Sequence, residues 1–255
     1  MKRLVLAIVC LWTIAASAPD AGAETGTLTV GVKGAMKATL IAPDGPGPYP
    51  GVLILHTSGG LRPTDLDYAR RLSEQGYVCL VPAFMEAYRI TATTRRDTFT
   101  RHANDVYADL AAAAETLRTS AKVAGGKIGA VGFSNGGYFA LWLAATNKVD
   151  AGVSYYGALT GAGTDKELTR FSSTFGAGSA PVLVLHGTAD ATVPVSAADH
   201  LSAILKRANS PHEVKLYNGV DHAFERDLRN DATREAAADA WDRTLAFLGE
   251  RLGQP

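Results

Sequence analysis

Residues 127–137, KIGAVGFSNGG, carry the most informative pattern of this chain, a short apolar run that leads into G-x-S-x-G at residues 132–136. In this pattern a serine, here Ser134, sits on a sharp turn between a strand and a helix. The flanking residues fit that context, since they predict a buried strand over Lys127–Val131 and an apolar helix over Tyr138–Thr146. Glycines permit the unusual backbone angles of such a turn and the close packing of the helix on the sheet. Ser134 is therefore the candidate nucleophile.

Strand-like and helix-like segments alternate on both sides of this turn. The other predicted strands, of which the first two form a hairpin, are Thr27–Val32, Ala35–Ile41, Gly51–His56, Tyr77–Pro82, Ala151–Tyr156, Pro181–His186 and Glu213–Tyr217. The other predicted helices are Asp65–Gln75, Ala103–Thr119, Ser196–Ala208 and Ala232–Leu252. A polar segment over Glu86–Arg101 and a Gly/Ser-rich connection up to Ala180 complete the chain. Most strands are apolar without alternation, which predicts an α/β fold with a mostly parallel central sheet and helices on both faces.

The first 23 residues differ in character from the rest. Two basic residues precede an apolar run over Leu4–Ala16, and Ala21-Gly22-Ala23 supplies a small-residue cleavage site. This is the layout of a secretory signal peptide. We therefore predict that residues 1–23 are removed and that residues 24–255 form a single domain in the periplasm or outside the cell. The apolar run is shorter than the ~20 residues of a membrane-spanning helix, so no stable membrane anchor is expected after cleavage.

Charge and cysteine content narrow the range of partners. The 25 basic and 25 acidic residues balance, and because they form no block, no nucleic-acid partner is predicted. Once the signal peptide is removed, Cys79 is the only cysteine, so the sequence predicts no intrachain disulfide and a buried thiol in an apolar strand. The sequence has neither a metal-ligand spacing nor a glycine-rich phosphate pattern, and no metal or cofactor is predicted.

Candidate partners for Ser134 follow it in the chain. A serine hydroxyl needs a base to take its proton and an acid to orient that base. After a G-x-S-x-G turn, the acid and then the histidine follow in chain order. Asp190, in LHGTAD at residues 185–190, and His222, in GVDHAF at residues 219–224, both come just after predicted strands. Asp221 remains the alternative acid, whereas His56 and His186 lie at strand ends but break the order.

Acyl transfer also requires N–H donors that stabilise the developing oxyanion, each worth ~3 kcal/mol. The first candidate is the backbone amide of Asn135, which follows the nucleophile. The second comes from the loop after the first central strand, HTSGG at residues 56–60, where Ser58 is the first choice and Thr57 the next. The alternative for this loop is a simple role as a turn former.

The three blocks that contain Ser134, Asp190 and His222, with the HTSGG loop, resemble the dienelactone hydrolase family of α/β-hydrolases. The resemblance covers nearly the whole predicted mature chain, about residues 48–248. It implies an α/β-hydrolase fold and a single-domain, cofactor-free hydrolase that acts on a small-molecule ester or lactone.

The chain also departs from that family. The dienelactone hydrolases proper have a cysteine in the G-x-S-x-G turn, where this sequence has Ser134. They also have a glutamate in the loop after the first central strand, where it has Thr57. The glutamate helps to prime the cysteine, and a serine that is primed directly by His222 does not need it. The two departures therefore agree with each other and predict a serine-dependent member, and together with the predicted export they leave the dienelactone itself open as its substrate.

Substrate contacts are the least defined part of the sequence. Arg89 and Arg95 are candidates for binding a carboxylate, and Phe84 is a candidate for lining an acyl pocket. The alternatives are a solvated loop face for the arginines and core packing for Phe84.

The predicted function is an exported serine esterase or lactonase. The alternatives are a peptidase on the same fold and a non-catalytic binding member of the fold. The natural substrate and the oligomeric state are not predicted.

Overall fold

The computed structural model describes residues 23–123, 126–157, 166–227 and 229–253. The predicted signal peptide, apart from Ala23, lies outside these residues, so its assignment stays a prediction. In the part of the chain that is described, no helix combines the length and the apolar character that crossing a bilayer requires.

One eight-stranded sheet forms the centre of the molecule, with the strand order β1-β2-β4-β3-β5-β6-β7-β8. Its strands are β1 Ala23–Val30, β2 Met36–Pro43, β3 Gly51–Leu55, β4 Val78–Pro82, β5 Ile128–Phe133, β6 Ala151–Tyr155, β7 Val182–Gly187 and β8 His212–Tyr217. β1 and β2 form the predicted antiparallel hairpin, in which Val30 pairs with Met36. β2 is also antiparallel to β4, and every remaining pair is parallel. The mostly parallel sheet predicted from the sequence is confirmed.

Helices cover both faces of the sheet. They are α1 Pro63–Glu74, α2 Phe84–Ala87, α3 Ala103–Arg118, α4 Asn135–Ala145, α5 Lys166–Thr174, α6 Val195–Arg207 and α7 Asp231–Leu252, with a 3₁₀ turn at Arg95–Thr98. Val52 and Ile54 of β3 pack with residues of α1 and α7, while Leu53 and Leu55 pack with residues of α3 and α4. The unbroken apolar character of the strands thus reflects burial on both faces.

Several elements differ from the sequence prediction. β1 spans Ala23–Val30 and not Thr27–Val32, and α2 and the 3₁₀ turn fall where no helix is predicted. The helix after the nucleophile turn begins at Asn135, three residues before the predicted start, because the turn passes directly into the helix. The predicted Gly/Ser-rich connection before Ala180 contains α5. Phe171 of α5 is fully buried and its ring lies 5.1 Å from that of Tyr138 in α4. Packing of this aromatic residue explains why a helix forms in a segment whose flanking glycines indicated a loop.

The polar segment after β4 is anchored to the body of the domain. Its Tyr88 hydroxyl donates a hydrogen bond of 2.5 Å to Asp109 of α3, and burial raises the pKa of this phenol. The same buried carboxylate accepts the backbone N–H groups of Val32, Lys33 and Gly34 at 2.6, 2.6 and 2.7 Å. Asp109 therefore joins the hairpin turn, α3 and the start of the polar segment.

Candidate active site

Ser134 occupies a strained turn at the carboxyl end of β5. Its φ and ψ are 51° and −111°, a left-handed conformation that costs a non-glycine residue of order 1–3 kcal/mol. Two hydrogen bonds hold it there: its N–H donates to the Tyr155 carbonyl at 2.9 Å, and its own carbonyl accepts from the Tyr138 N–H at 3.1 Å. The serine is 7% exposed. The turn therefore places the Ser134 side chain at the carboxyl ends of the parallel strands, where α/β folds commonly bind ligands.

Close backbone contacts within the turn and between the turn and β3 explain two glycines of the G-x-S-x-G pattern. A Cβ atom on Gly132 would lie 2.1 Å from the carbonyl oxygen of Gly136, and one on Gly136 would lie 2.0 Å from that of Leu55. The Gly136 N–H donates to the His56 carbonyl at 3.1 Å. This contact brings the loop after β3 against the nucleophile turn.

We expect Gly136→Ala to disrupt this contact. The added methyl group must separate backbone from backbone, which we expect to cost about 3 kcal/mol of unfolding free energy. Moving one side of the site by an ångström should also lower kcat/KM by roughly 10²-fold. Thermal unfolding and ester hydrolysis measure the two effects. Gly176→Ala is the control, because a Cβ there meets no atom within 4 Å. Equal behaviour of the two variants would contradict this account.

The structure brings His222 and Asp190 together. His222 follows β8, Asp190 follows β7, and the His222 Nδ1–H donates to Asp190 Oδ2 at 2.7 Å. The other oxygen of Asp190 accepts the N–H groups of Thr192 and Val193 at 2.9 and 2.7 Å. Burial opposes the ionisation of Asp190, but hydrogen bonds from His222 and Val193 outweigh it and hold the pKa of the carboxyl below its usual value. An ionised Asp190 keeps the proton on Nδ1 and leaves Nε2 free to act as a base.

Asp221, the alternative acid, has a different role. Its Oδ1 accepts the backbone N–H groups of Ala191 at 2.9 Å and His222 at 2.6 Å. The carboxylate therefore ties the loop of His222 to the loop of Asp190. It contacts the backbone of the histidine, whereas Asp190 contacts the ring.

His222 and Ser134 lie at the same edge of the sheet and are linked through Tyr155 and Tyr156. The Tyr155 carbonyl binds the Ser134 N–H, and the next ring, Tyr156, lies 4.3 Å from the His222 ring. Across the described residues, no hydrogen bond joins the Ser134 hydroxyl to the His222 ring. Such bonds are often long in a resting enzyme and tighten when substrate binds.

The candidate oxyanion donors lie on the two backbones that meet at Gly136. The Asn135 N–H belongs to the first turn of α4, where amides have no acceptor within the helix. In the loop after β3, Thr57 Oγ1 accepts the Gly59 N–H at 3.1 Å, so Thr57 also shapes the turn. The bond from Gly136 to His56 places Thr57 and Ser58 beside α4. The choice between these two amides stays a prediction.

The three candidate substrate contacts, Phe84, Arg89 and Arg95, all lie in or beside the segment after β4. Phe84 is fully buried, and its ring stacks on that of His56 at 4.0 Å, which corresponds to the core-packing alternative. Arg89 and Arg95 are exposed, and Arg95 donates to the Ala92 carbonyl of its own segment at 3.0 Å. Their contact with a substrate stays a prediction.

The structure places a further feature beside the histidine. An open depression of about 500 Å³ is lined by His222, Ala223, Arg226, Asp227 and Arg229. Arg226 is partly buried, and its Nε donates to Glu225 at 2.5 Å. In the sequence, Arg226 could be noticed only by its position four residues after His222.

Over the described ranges, no group of three or more His, Cys, Asp or Glu residues is arranged to hold a metal ion.

Comparison with known proteins places the chain in a family. Residues 36–252 match the dienelactone hydrolase family. The chain belongs to this family. A relative from Methylorubrum extorquens, which carries the name carboxymethylenebutenolidase, is 29% identical over 77% of this chain and 70% of its own length. Membership makes the chain a hydrolase of the dienelactone hydrolase type and confirms the resemblance stated from the sequence.

Solved structures of dienelactone hydrolase-like proteins share the fold. A Klebsiella pneumoniae protein described as a dienelactone hydrolase superposes with a TM-score of 0.75 at 25% identity, over 89% of this chain and 99% of its own. A dienelactone hydrolase-like promiscuous phosphotriesterase from metagenomic libraries gives a TM-score of 0.73 at 23% identity, over 91% and 100% of the two chains. The predicted α/β-hydrolase fold is therefore confirmed.

Proposed function

We propose that this protein is an exported serine hydrolase that cleaves carboxylic esters or lactones with Ser134, His222 and Asp190. The observation that carries the proposal is the 2.7 Å hydrogen bond from His222 Nδ1 to a buried, ionised Asp190, at the sheet edge where Ser134 occupies a strained turn. Strain of this kind persists only where the surrounding structure enforces it, and it concentrates at functional sites.

In the proposed reaction, the Ser134 Oγ attacks the carbonyl carbon of the ester while His222 Nε2 takes the hydroxyl proton. The carbonyl oxygen becomes an oxyanion, which accepts hydrogen bonds from the amides of Asn135 and Ser58, with Thr57 as the alternative to Ser58. The C–O bond to the leaving group then breaks, and His222 returns the proton to the departing alkoxide. Asp190 stabilises the imidazolium that forms between these transfers.

The acyl-enzyme is then released by the same groups. His222 takes a proton from water, the hydroxide attacks the acyl carbon, and the ester bond to Ser134 breaks as its oxygen regains the proton. With a lactone, the alkoxide and the acid belong to one molecule, so a single ring-opened product leaves. The carboxymethylenebutenolidase name of the Methylorubrum relative supports a lactone as one substrate type.

Export is part of the same proposal. The basic start, the apolar run and the small-residue site before Glu24 support a cleaved signal peptide. The described fold begins with β1 at Ala23, so cleavage there removes no more than the first residue of that strand. The amino-terminal peptide of protein recovered from the periplasm or the medium should begin at Glu24. An intact amino terminus on that material would contradict cleavage at this site.

Reaction with a fluorophosphonate tests the nucleophile without knowledge of the substrate. An activated serine attacks phosphorus as it attacks an ester carbonyl, whereas a non-catalytic member of the fold has no activated serine. We expect one equivalent of probe on Ser134, located by peptide mass spectrometry, and loss of p-nitrophenyl ester hydrolysis in proportion to the label. The phosphotriesterase description of one structural neighbour supports phosphorus as an electrophile for this fold. A chain that remains unlabelled, or is labelled at another residue, would overturn the proposal.

A further inference from the structure

We propose that Glu86 is a positioning residue that holds the loop of residues 56–61, which we term the oxyanion loop, at the spacing needed for oxyanion binding. The inference rests on the proposed function and identifies a part of its machinery that lies outside the triad and the amide donors.

Glu86 contacts the oxyanion loop at both of its ends. Its Oε1 accepts the Leu61 N–H at 3.1 Å, and its Oε2 lies 3.7 Å from Nε2 of His56. A Cβ atom on Gly60, where φ is +78°, would lie 3.0 Å from Oε1. The carboxylate therefore packs directly on the turn and bridges the residues on either side of Thr57 and Ser58.

The His56 ring packs beside this carboxylate. The ring is fully buried between the loop and Phe84, and Nδ1 donates to the Thr57 carbonyl at 2.8 Å. Nε2 has no hydrogen-bond partner in the described residues and lies 3.7 Å from Oε2 of Glu86. Burial lowers the pKa of this imidazole, so the neutral ring, with its proton on Nδ1, packs against the carboxylate without a hydrogen bond. The hydrogen bond from the Leu61 N–H is therefore the contact by which Glu86 holds the loop, and the His56 ring packs beside it.

The same short helix contacts the other side of the proposed oxyanion site. Met85 precedes Glu86 in α2, and its Sδ accepts the Asn135 Nδ2–H at 3.8 Å. That amide group also lies 3.4 Å from Oγ1 of the buried Thr98. Consecutive residues of α2 thus contact both the oxyanion loop and the residue that supplies the first oxyanion amide. α2 therefore provides a second link between the two sides of the proposed site, beside the Gly136–His56 hydrogen bond.

Because Glu86 is partly exposed, a positioning role can be distinguished from a role in stability. The Glu86 side chain is 50% exposed, and partly exposed polar contacts contribute little to the free energy of unfolding. Donor geometry at a reacting oxygen affects the rate strongly, because a small displacement weakens a bond that forms fully only in the transition state. Loss of Glu86 should therefore lower kcat while leaving KM and Tm nearly unchanged.

Three variants test the proposal with p-nitrophenyl butyrate as substrate. We expect Glu86→Ala to lower kcat by roughly 10- to 100-fold, with KM within about twofold and an unchanged Tm. Glu86→Gln should stay within about threefold, because its amide oxygen still accepts the Leu61 N–H. Glu115→Ala is the matched control, since this exposed glutamate contacts Arg118 on α3 and not the loop. Hydrogen exchange of a peptide that covers residues 56–62 should be faster in Glu86→Ala only.

The outcomes separate this inference from the proposed function. If Ser134→Ala is inactive but Glu86→Ala matches the wild type in kcat and in exchange of the loop, positioning by Glu86 is wrong and the serine mechanism stands. A rise in KM by the same factor as the loss in kcat/KM would also overturn it, because that pattern indicates substrate binding. If Ser134→Ala keeps its turnover, the serine mechanism fails, and the exchange experiment still reports whether Glu86 holds the loop.

Discussion

Ser134→Ala should lower kcat for p-nitrophenyl butyrate by roughly 10⁵- to 10⁶-fold. The variant lacks the oxygen that forms the acyl-enzyme, and neither His222 nor Asp190 can replace it. The amide donors and the binding surface remain, so a residual acceleration over water is expected. Alanine takes the place of a side chain that is 7% exposed, and the hydrogen bonds of the turn are made by its backbone.

A second serine provides the control for this measurement. Ser196 lies at the start of α6 and is exposed, so Ser196→Ala should retain full activity. Thermal unfolding should give similar Tm values for both variants, which separates a loss of chemistry from a loss of fold. Turnover by Ser134→Ala within tenfold of the wild type would exclude Ser134 as the nucleophile.

Asp190→Asn should lower kcat by roughly 10⁴-fold while the fold persists. Asparagine can keep the acceptor for Thr192 and Val193, which hold the loop at 2.9 and 2.7 Å. It loses the negative charge that stabilises the imidazolium. Its amide can also donate to Nδ1, which would move the proton of His222 to Nε2 and abolish the base.

Asp221→Asn is the matched control for this prediction. Asp221 adjoins His222 and accepts two backbone N–H groups through one oxygen, which the asparagine carbonyl can replace. We expect its kcat to stay within about tenfold of the wild type, because no contact with the ring is lost. A greater loss in Asp221→Asn than in Asp190→Asn would assign the acid to Asp221 instead.

Much of the fold could be predicted because its signals are local. Except for β8, whose sequence is HEVKLY, the parallel strands are mostly apolar runs of five or six residues that precede a turn. The hairpin at the amino terminus pairs neighbouring segments. α5 was missed because nine residues between glycine-rich flanks have little helical stability alone. Its buried Phe171 packs on Tyr138 in α4, a contact between distant segments.

For the candidate site, the order of the motifs along the chain was enough to predict Ser134, Asp190 and His222. Because β5, β7 and β8 belong to one parallel sheet, the residues that follow their carboxyl ends lie on the same side of that sheet. Phe84 shows where this kind of inference cannot decide. An aromatic residue after a strand fits a pocket or a core equally well, and its stack on His56 depends on how two separate loops meet.

Local sequence was sufficient for the strands, the nucleophile turn and the order of the three candidate catalytic residues, because periodicity and turn chemistry act over a few neighbouring positions. The pairing of His222 with Asp190 joins residues 32 positions apart, and that of Glu86 with Leu61 spans 25. Contacts of this kind depend on how the loops fold over the sheet edge. Tertiary structure therefore selected which aspartate meets the ring and brought Glu86, an ordinary polar residue in the sequence, onto the oxyanion loop.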